Sequence, residues 1–192
     1  MVTIVIEATE HLLEIEDLPA GYWQSDPNHS TIEFSVRNMG IVDIKGVFRE
    51  FTATVVIGDN EVNSQCEIQV GSLDTGVADR DKHLLSEEFF DAESYPLITF
   101  QSNQLESQLG SLSVPGHLTL KGREQPIELE AKLRGPQIDP WGGTRIGAEV
   151  YASINRYDFG LDWDKSTPDE VPLASAEVQM AMHLGLVLKE DS

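Results

Sequence analysis

The side chains that could bind a metal ion are scattered along the chain, and one short stretch gathers three of them. Asp79, Asp81 and His83 alternate in the sequence ADRDKHLL, and both carboxylate and imidazole groups bind divalent metals. A stable site needs three or four ligands that point at one position. Two-residue spacing on a helix instead spreads the side chains around the axis. We therefore interpret this stretch as the acidic, solvated start of a helix, and we predict no metal and no cofactor.

A second acidic stretch, Asp162-x-Asp164-x-Ser166, begins like a calcium-binding loop. Such a loop needs glycine at its sixth position and glutamate at its twelfth, but the sequence has Thr167 and Leu173 there. The sequence also lacks a nucleophile elbow, a phosphate-binding loop and a dinucleotide fingerprint. With 33 acidic residues, neighbouring carboxylates arise by chance and identify no general acid and base. We therefore predict that the protein is not an enzyme.

The single cysteine, Cys66, excludes an internal disulfide. It lies in the alternating stretch QCEIQV, and no basic residue is close to it in sequence to lower its pKa. The pattern favours a small buried apolar side chain on a strand over a reactive thiol.

The charge of the chain makes some classes of binding partner unfavourable. The sequence has 13 basic and 33 acidic residues, which give a formal net charge of −20. Because nucleic-acid binding depends on lysine and arginine side chains that neutralise phosphates, we expect no nucleic-acid partner. Anionic membrane surfaces would repel the protein for the same reason. No stretch approaches the length of apolar residues that spans a bilayer, so we expect no stable membrane insertion.

Most of the elements that would position these side chains are strands. The alternation of apolar and polar residues has the period of half-buried strands, and in the run over residues 47–57 Arg49 is the one residue that interrupts it. Lys121-Gly122-Arg123-Glu124 indicates a tight hairpin between two of these strands. The predicted strands are residues 32–36, 47–57, 66–70, 97–102, 112–120, 127–133, 146–154 and 178–184.

Residues 79–90 lack this period and contain neither glycine nor proline, so they predict a short helix that covers an opening or an edge. Many strands at regular spacing indicate a sandwich or a barrel, and closure into a barrel removes exposed edges. We predict an all-β domain at residues 22–188, an antiparallel barrel of about eight strands. An acidic arm (residues 1–21) precedes it and a tail (residues 189–192) follows. The N-terminus does not resemble a secretory signal, so we expect a cytoplasmic protein.

An eight-stranded barrel is either filled by its side chains or holds one small ligand. Periodicity alone favours a packed core, although methionines also suit an adaptable apolar binding surface. The apolar side chains predicted to point inward are Phe34, Phe51, Ile68, Phe100, Leu129, Val150, Met180 and Met182.

Seven blocks of residues follow one another over nearly the whole predicted domain. They are Trp23-x-x-Asp26-Pro27-x-His29-Ser30-x-Ile32-x-Phe34-x-Val36-Arg37, Gly46-x-Phe48-x-x-Phe51, Asp79-x-Asp81-x-His83-Leu84, Phe89-Phe90-Asp91, Tyr95-Pro96-x-Ile98-x-Phe100-x-Ser102, Gly116-x-Leu118-Thr119-Leu120-x-Gly122 and Asn155-Arg156-x-Asp158-Phe159-Gly160-Leu161. This ordered set resembles the YceI-like, polyisoprenoid-binding family. Each block alone is weak evidence for this family, but seven blocks in the family's order are a specific match.

The resemblance implies an extended, lipocalin-like barrel with an elongated apolar channel for a polyisoprenoid or another fatty amphiphile. The eight inward side chains would then line this channel. The family usually has histidine after the Val-Arg of the first block, where this sequence has Asn38, so any role of that histidine is in doubt here. Many members of the family are periplasmic. Because the N-terminus of this chain does not resemble a secretory signal, we expect it to be one of the cytoplasmic members. A homodimer is left open.

Three functions are open at this stage. The first hypothesis is a carrier or scavenger that holds an isoprenoid-like lipid in the barrel. The second is a packed barrel that acts on another protein, through its acidic surface or in a stress response. The third is an enzyme that uses the barrel as a channel, with His83 or carboxylates as acid and base. Lipids extracted from the purified protein would discriminate among them.

Overall fold

Side chains of a strand point alternately to the two faces of a sheet, so the alternating pattern places most of this chain in strands. The computed structural model describes residues 18–58, 61–108 and 111–189, and these form twelve strands and one α-helix, α1 (Ala78–Leu85). The strands are β1 (Gly21–Ser25), β2 (Thr31–Asn38), β3 (Val42–Phe48), β4 (Phe51–Ile57), β5 (Val62–Gln69), β6 (Leu73–Asp74), β7 (Leu97–Ser102), β8 (Glu106–Gln108), β9 (Ser111–Leu120), β10 (Arg123–Ile138), β11 (Thr144–Asn155) and β12 (Glu177–Lys189).

Eight of the strands close into an antiparallel ring. Their order is β1-β4-β5-β7-β9-β10-β11-β12, and β12 pairs back with β1. The predicted all-β barrel with one short helix is therefore confirmed. The predicted hairpin is also present, because Leu120 pairs with Arg123 across a two-residue turn with positive φ angles at Lys121 and Gly122.

Strands β2, β3 and β6 extend the barrel beyond this ring. The second half of β12 pairs with β1, and its first half pairs with β2. The chain passes from β1 to β2 through a short 3-10 turn at Pro27–His29. On the other side of this bend, β4 pairs with β1 and β3 pairs with β2, and both pairs are antiparallel. The barrel wall thus continues beyond β1 and β4 along β2 and β3. We call this the upper end of the barrel, and α1 follows β6 there.

The prediction of one continuous strand over residues 47–57 is wrong at residues 49 and 50. Strand β3 ends at Phe48, and β4 begins at Phe51. Arg49 turns away, and its guanidinium donates to the Asp74 carboxylate from Nε at 2.9 Å and from Nη2 at 2.6 Å. The charged residue that interrupts the pattern therefore marks the bend at which the chain changes its partner strand from β2 to β1.

Helix α1 is shorter than the predicted helix over residues 79–90. It ends at Leu85, and the C-cap residue Ser86 has an extended backbone. The Ser86 hydroxyl donates to the His83 carbonyl at 2.7 Å, and the Ser86 N–H donates to the same oxygen at 3.2 Å. Because a serine side chain can replace a helical hydrogen bond in this way, the helix stops there. The helix prediction for residues 86–90 is therefore wrong.

The two ends of the chain are described only in part. Residues 1–17 of the predicted arm and residues 190–192 of the predicted tail lie outside the described ranges. Leu18 is buried in the core, and the Trp23 indole N–H donates to the Pro19 carbonyl at 3.2 Å. The described end of the arm thus packs on the barrel. Among the described residues, no helix is long and apolar enough to cross a membrane.

A polar network on the outside of the barrel holds the bend between β1 and β2. The Asp26 carboxylate lies 2.9 Å from His29 Nδ1 and accepts from Arg145 Nη1 at 2.7 Å. Arg145 Nε also donates to Asp139 at 2.6 Å. Hydrogen bonds from Arg145, His29 and the Asn28 N–H hold the pKa of Asp26 well below its usual range. The network joins the bend to the hairpin between β10 and β11.

We expect acid to weaken this network. A carboxyl group whose pKa is lowered by folding stabilises the native state above its unfolded pKa of about 4, and this stabilisation is lost as the pH falls. Asp26→Asn should therefore lower the urea midpoint at pH 7 and flatten the loss of stability below about pH 4. Asp169→Asn, at an exposed position, is the matched control. Parallel pH profiles for wild type and Asp26→Asn would contradict this role of the network.

Candidate functional site

The barrel interior is not fully packed. The inward faces of the strands enclose an apolar cavity of about 340 Å³, the upper cavity, between the ring strands, β2, β3 and α1. Packed protein interiors contain few voids larger than a water molecule, whereas small-molecule sites measure roughly 300–1,000 Å³. Hollows of about 470 and 690 Å³ on the outer face are more open to solvent, and polar and apolar atoms line them about equally. The upper cavity is therefore the candidate binding site.

A second apolar cavity of about 100 Å³, the lower cavity, lies toward the end of the barrel that contains β1. Four side chains border both cavities and form a constriction between them. They are Cys66, Phe100, Leu129 and Met182. A methionine side chain at this position adapts its shape readily, since it is unbranched and flexible.

Six of the eight side chains predicted to point inward border the upper cavity. Val150 borders the lower cavity. Phe51 borders neither cavity and packs against the core, where β4 begins. Their contact with a ligand stays a prediction. The six are Phe34, Ile68, Phe100, Leu129, Met180 and Met182.

Two of these aromatic rings lie where a neighbouring strand has glycine. A Cβ atom on Gly46 would lie 2.3 Å from Cζ of Phe34, its cross-strand partner. A Cβ atom on Gly116 would lie 2.5 Å from Cζ of Phe100 and 2.5 Å from the Gln101 carbonyl oxygen. Each ring therefore occupies the space that a side chain would take, and the glycines set the shape of the wall.

We expect Gly116→Ala to destabilise the protein by about 1–3 kcal/mol, because overpacking forces the ring and the backbone to move. Gly71→Ala is the control, since a Cβ atom on Gly71 would meet nothing within 4 Å. The control should change stability by less than about 0.5 kcal/mol. Urea unfolding monitored by circular dichroism measures both variants, and equal effects would contradict the packing argument.

Polar side chains gather at one end of the upper cavity, near α1 and the segment of residues 163–174. Asn38 donates from Nδ2 to the Leu173 carbonyl at 2.5 Å. Arg80 donates from Nε to the Thr75 hydroxyl at 2.7 Å and from Nη2 to the Thr75 carbonyl at 2.9 Å. The polar or aromatic residues that border this end are Asn38, Thr75, Arg80, His83, Arg156 and Trp163.

Arg156 is a buried cation, with 3% of its surface exposed. It donates to the carbonyl oxygens of Ser175 at 3.0 Å, of Ala174 at 3.4 Å and of Leu161. Its guanidinium carbon lies 4.1 Å from the centre of the Tyr157 ring. Among the described residues it forms no ion pair with a carboxylate. Sequence reasoning named Arg156 only as part of a family block.

Trp163 borders the same end of the cavity. Its ring centre lies 5.2 Å from that of Phe89 and 5.6 Å from that of His83. The indole Nε1 is buried and has no hydrogen-bond partner among the described residues. Sequence reasoning missed this residue, because it lies outside the strands and outside the family blocks.

The candidate metal ligands are held by separate partners. Asp81 accepts from the Thr75 N–H at 2.9 Å and from the Thr75 hydroxyl at 2.5 Å. His83 Nε2 lies 2.7 Å from the Glu88 carboxylate. In the described part of the chain, no three His, Cys, Asp or Glu side chains form a metal-binding group. Asp81 therefore stabilises the turn before α1, and His83 contacts the turn after it.

Cys66 lies on β5 and faces the constriction. Burial raises the pKa of its thiol to about 12, and the charge of Glu67 adds to the shift. Because the thiolate is the reactive form, this thiol is poorly reactive at neutral pH. The structure places it on a strand, as predicted, but partly rather than fully buried, because its side chain borders the two cavities.

The chain is similar to known proteins over most of its length. A family model for the YceI-like domain matches residues 23–186. Protein YceI of Salmonella arizonae is 35% identical over 139 residues, which cover 71% of this chain and 73% of that protein.

Two solved structures share the fold at lower sequence identity. BcnA of Burkholderia cenocepacia has a TM-score of 0.71 at 22% identity, and the match covers 84% of this chain and 98% of BcnA. A polyisoprenoid binding domain from Saccharophagus degradans, implicated in plant cell wall breakdown, has a TM-score of 0.68 at 15% identity. That match covers 87% of this chain and 98% of the domain. At these identities the two likenesses concern the fold alone.

Proposed function

Since this chain belongs to the family of YceI-like domains, we propose that it binds a long-tailed amphiphile, a polyisoprenoid or a fatty relative, inside its barrel and carries or sequesters it. The upper cavity is the observation that supports this proposal most strongly. It is apolar along its length, and residues with polar side chains border one end. An amphiphile has the same division into an apolar tail and a polar head.

The energetics favour long tails. Burial of each CH₂ group is worth about 0.8 kcal/mol, while association costs roughly 4–15 kcal/mol of lost freedom. A tail of several isoprene units offsets that cost, but a single unit does not. An apolar wall distinguishes tails that differ by one methylene by only about 1–3 kcal/mol. We therefore propose a preference for long tails with loose discrimination among them.

The two cavities also suggest how a long tail is placed. A tail that enters the upper cavity from the polar end reaches the constriction formed by Cys66, Phe100, Leu129 and Met182. A shift of the flexible Met182 side chain would open the way to the lower cavity. The bound tail would then run along the barrel, with its head near Arg80 and Trp163.

Mass spectrometry of organic extracts from the purified protein tests this function. A stoichiometric long-tailed lipid in the extract supports a carrier. Empty extracts, together with no uptake of added prenyl or fatty probes, would contradict the proposal and favour a protein that acts through its acidic surface. Conversion of a bound lipid, abolished by His83→Ala, would indicate an enzyme instead. The cytoplasmic location and the homodimer stay predictions, which cell fractionation and sedimentation test.

A further inference from the structure

Strand β3 has an open edge at the upper end of the barrel. It pairs with β2 from Val42 to Phe48 on one side, but β6 covers its other side only at Val47 and Phe48. Residues 42–46 therefore form a free edge in the part of the chain that the structure describes. We propose that this free edge pairs with the free edge of a second copy of the chain, in a symmetric dimer. The dimer goes beyond the proposed function and needs no ligand.

The backbone groups of Asp43 and Lys45 point to the free edge. Backbone N–H and C=O groups point alternately to the two sides of a strand. The Arg49 N–H, just beyond β3, donates to the Ser72 carbonyl on the β6 side at 3.2 Å. The odd-numbered residues of β3 therefore direct these groups to that side, where no described strand pairs with Asp43 or Lys45. Such an edge is a template for pairing with another chain.

Antiparallel pairing about a twofold axis at Ile44 would satisfy these backbone groups. It places Asp43 opposite Lys45 of the second copy, and the twofold axis repeats this pair. Both side chains are exposed on the outer face, since they alternate with Ile44, which borders the upper cavity. The interface thus contains two cross-strand pairs of opposite charge, and such pairs stabilise a sheet.

The charges also select this register over the neighbouring ones. A shift by one residue would set outward backbone groups against inward ones, so only shifts by two residues keep the hydrogen bonds. A shift by two brings Asp43 opposite Asp43 or Lys45 opposite Lys45, and like charges directly opposite destabilise a sheet. Charged residues on an edge usually discourage pairing with other chains. Here the two charges have opposite sign and are two residues apart, so the edge is complementary to itself.

Three exposed apolar side chains lie beside the free edge. Ile41 is 75% exposed, Val42 is 51% exposed and Val77 is 48% exposed. In the proposed register Ile41 lies level with Val47 of the second copy, next to which β6 ends and the segment leading to Val77 begins. The hairpin tip of each copy would therefore meet this segment of the other copy. Scattered exposed apolar residues need no explanation, but a group of them around one open edge fits an interface.

Sedimentation velocity tests the dimer. An ionic strength of about 0.15 M is suitable, because it screens the repulsion between two copies with a net charge of −20. The wild type should pass from monomer to dimer between about 1 μM and about 1 mM, as small interfaces are weak. Lys45→Glu and Asp43→Lys should each weaken the dimer by at least about tenfold, since each places like charges opposite in both pairs.

A charge swap then identifies the register. The double variant Asp43→Lys/Lys45→Glu restores opposite charges in both pairs, so it should dimerise like the wild type. A mixture of the two single variants should form a mixed dimer, because one edge then has two lysines and the other has two acids. Lys189→Glu is the matched control, since it makes the same change of charge at the end of the barrel that contains β1. Circular dichroism checks the fold of each variant, because Asp43 also pairs with Arg37.

The outcomes separate the dimer from the proposed function. A monomer at every concentration would overturn the dimer, as would equal weakening by Lys45→Glu and Lys189→Glu. A dimer that none of the variants affects would form through another surface, and it would also overturn this proposal. A folded double variant that stays monomeric would overturn the register. Each of these results would leave lipid binding standing, because lipid extraction measures that function separately.

Discussion

Met182→Glu should lower the affinity for a long-tailed amphiphile by at least a hundredfold. Met182 is buried, with 9% of its surface exposed, and it borders both cavities at the constriction. A carboxylate there would have to lose its water when a tail passes it. The effective cost of burying an unpaired charge in a protein is still several kcal/mol, and about 1.4 kcal/mol corresponds to a tenfold change in affinity.

His183→Glu is the matched control for this prediction. His183 is the next residue of β12, and its side chain is exposed on the outer face. The two variants therefore place a new carboxylate on neighbouring residues of one strand, but only Met182→Glu places it in the path of the tail. Titration with a fluorescent long-chain fatty probe measures both, and circular dichroism checks that both remain folded.

Met182→Gln keeps the test informative if the glutamate variant does not fold. The neutral amide has a similar length and a smaller cost of burial than a charge, so binding should weaken by about tenfold. Normal binding to a folded Met182→Glu protein would mean that the tail does not pass the constriction. The lower cavity would then have no part in binding.

The strands could be predicted well from the sequence, because burial of one face imposes the alternation directly. Strand β7 has the predicted bounds, Leu97–Ser102, and the strongly alternating β11 and β12 contain their predicted segments. The bend at Arg49 could not be placed, because it depends on Asp74, which lies 25 residues away along the chain. The end of α1 depended on one hydroxyl group of Ser86, which a periodicity argument does not weigh.

The cavity could not be predicted from the periodicity of the sequence, for a different reason. Alternation shows which side chains point inward, but whether they fill the interior depends on their summed volume and on the curvature of the wall. Gly46 and Gly116 contribute to this shape through rings on neighbouring strands. The resemblance to a family supplied the class of ligand. It did not reveal Trp163 at the polar end, because the position of that side chain follows from contacts with residues distant in sequence.

Arg156→Leu should destabilise the protein by about 3 kcal/mol or more, since it leaves one buried and two partly buried carbonyl groups without a donor. In the native structure Arg156 ties the short 3-10 turn at Arg156–Phe159 to the segment that leads into β12. It does so through the carbonyls of Leu161, Ala174 and Ser175. A leucine can fill part of the space, but it cannot donate to any of these oxygens. An unsatisfied buried acceptor costs about 1–3 kcal/mol.

Arg37→Leu is the control, because Arg37 is exposed and pairs with Asp43 at 2.5 Å on the surface. An exposed ion pair contributes about 0–1 kcal/mol, so this variant should unfold at nearly the same urea concentration as the wild type. Arg156→Lys should fall between the two, since lysine keeps the charge but cannot span several carbonyls with a planar fork. Equal losses for Arg37→Leu and Arg156→Leu would mean that the buried guanidinium of Arg156 does not hold the segment of residues 161–175 in place. Faster hydrogen exchange in residues 161–175 of Arg156→Leu alone would locate the loss in that segment, which borders the upper cavity at Leu161, Trp163, Leu173 and Ala174.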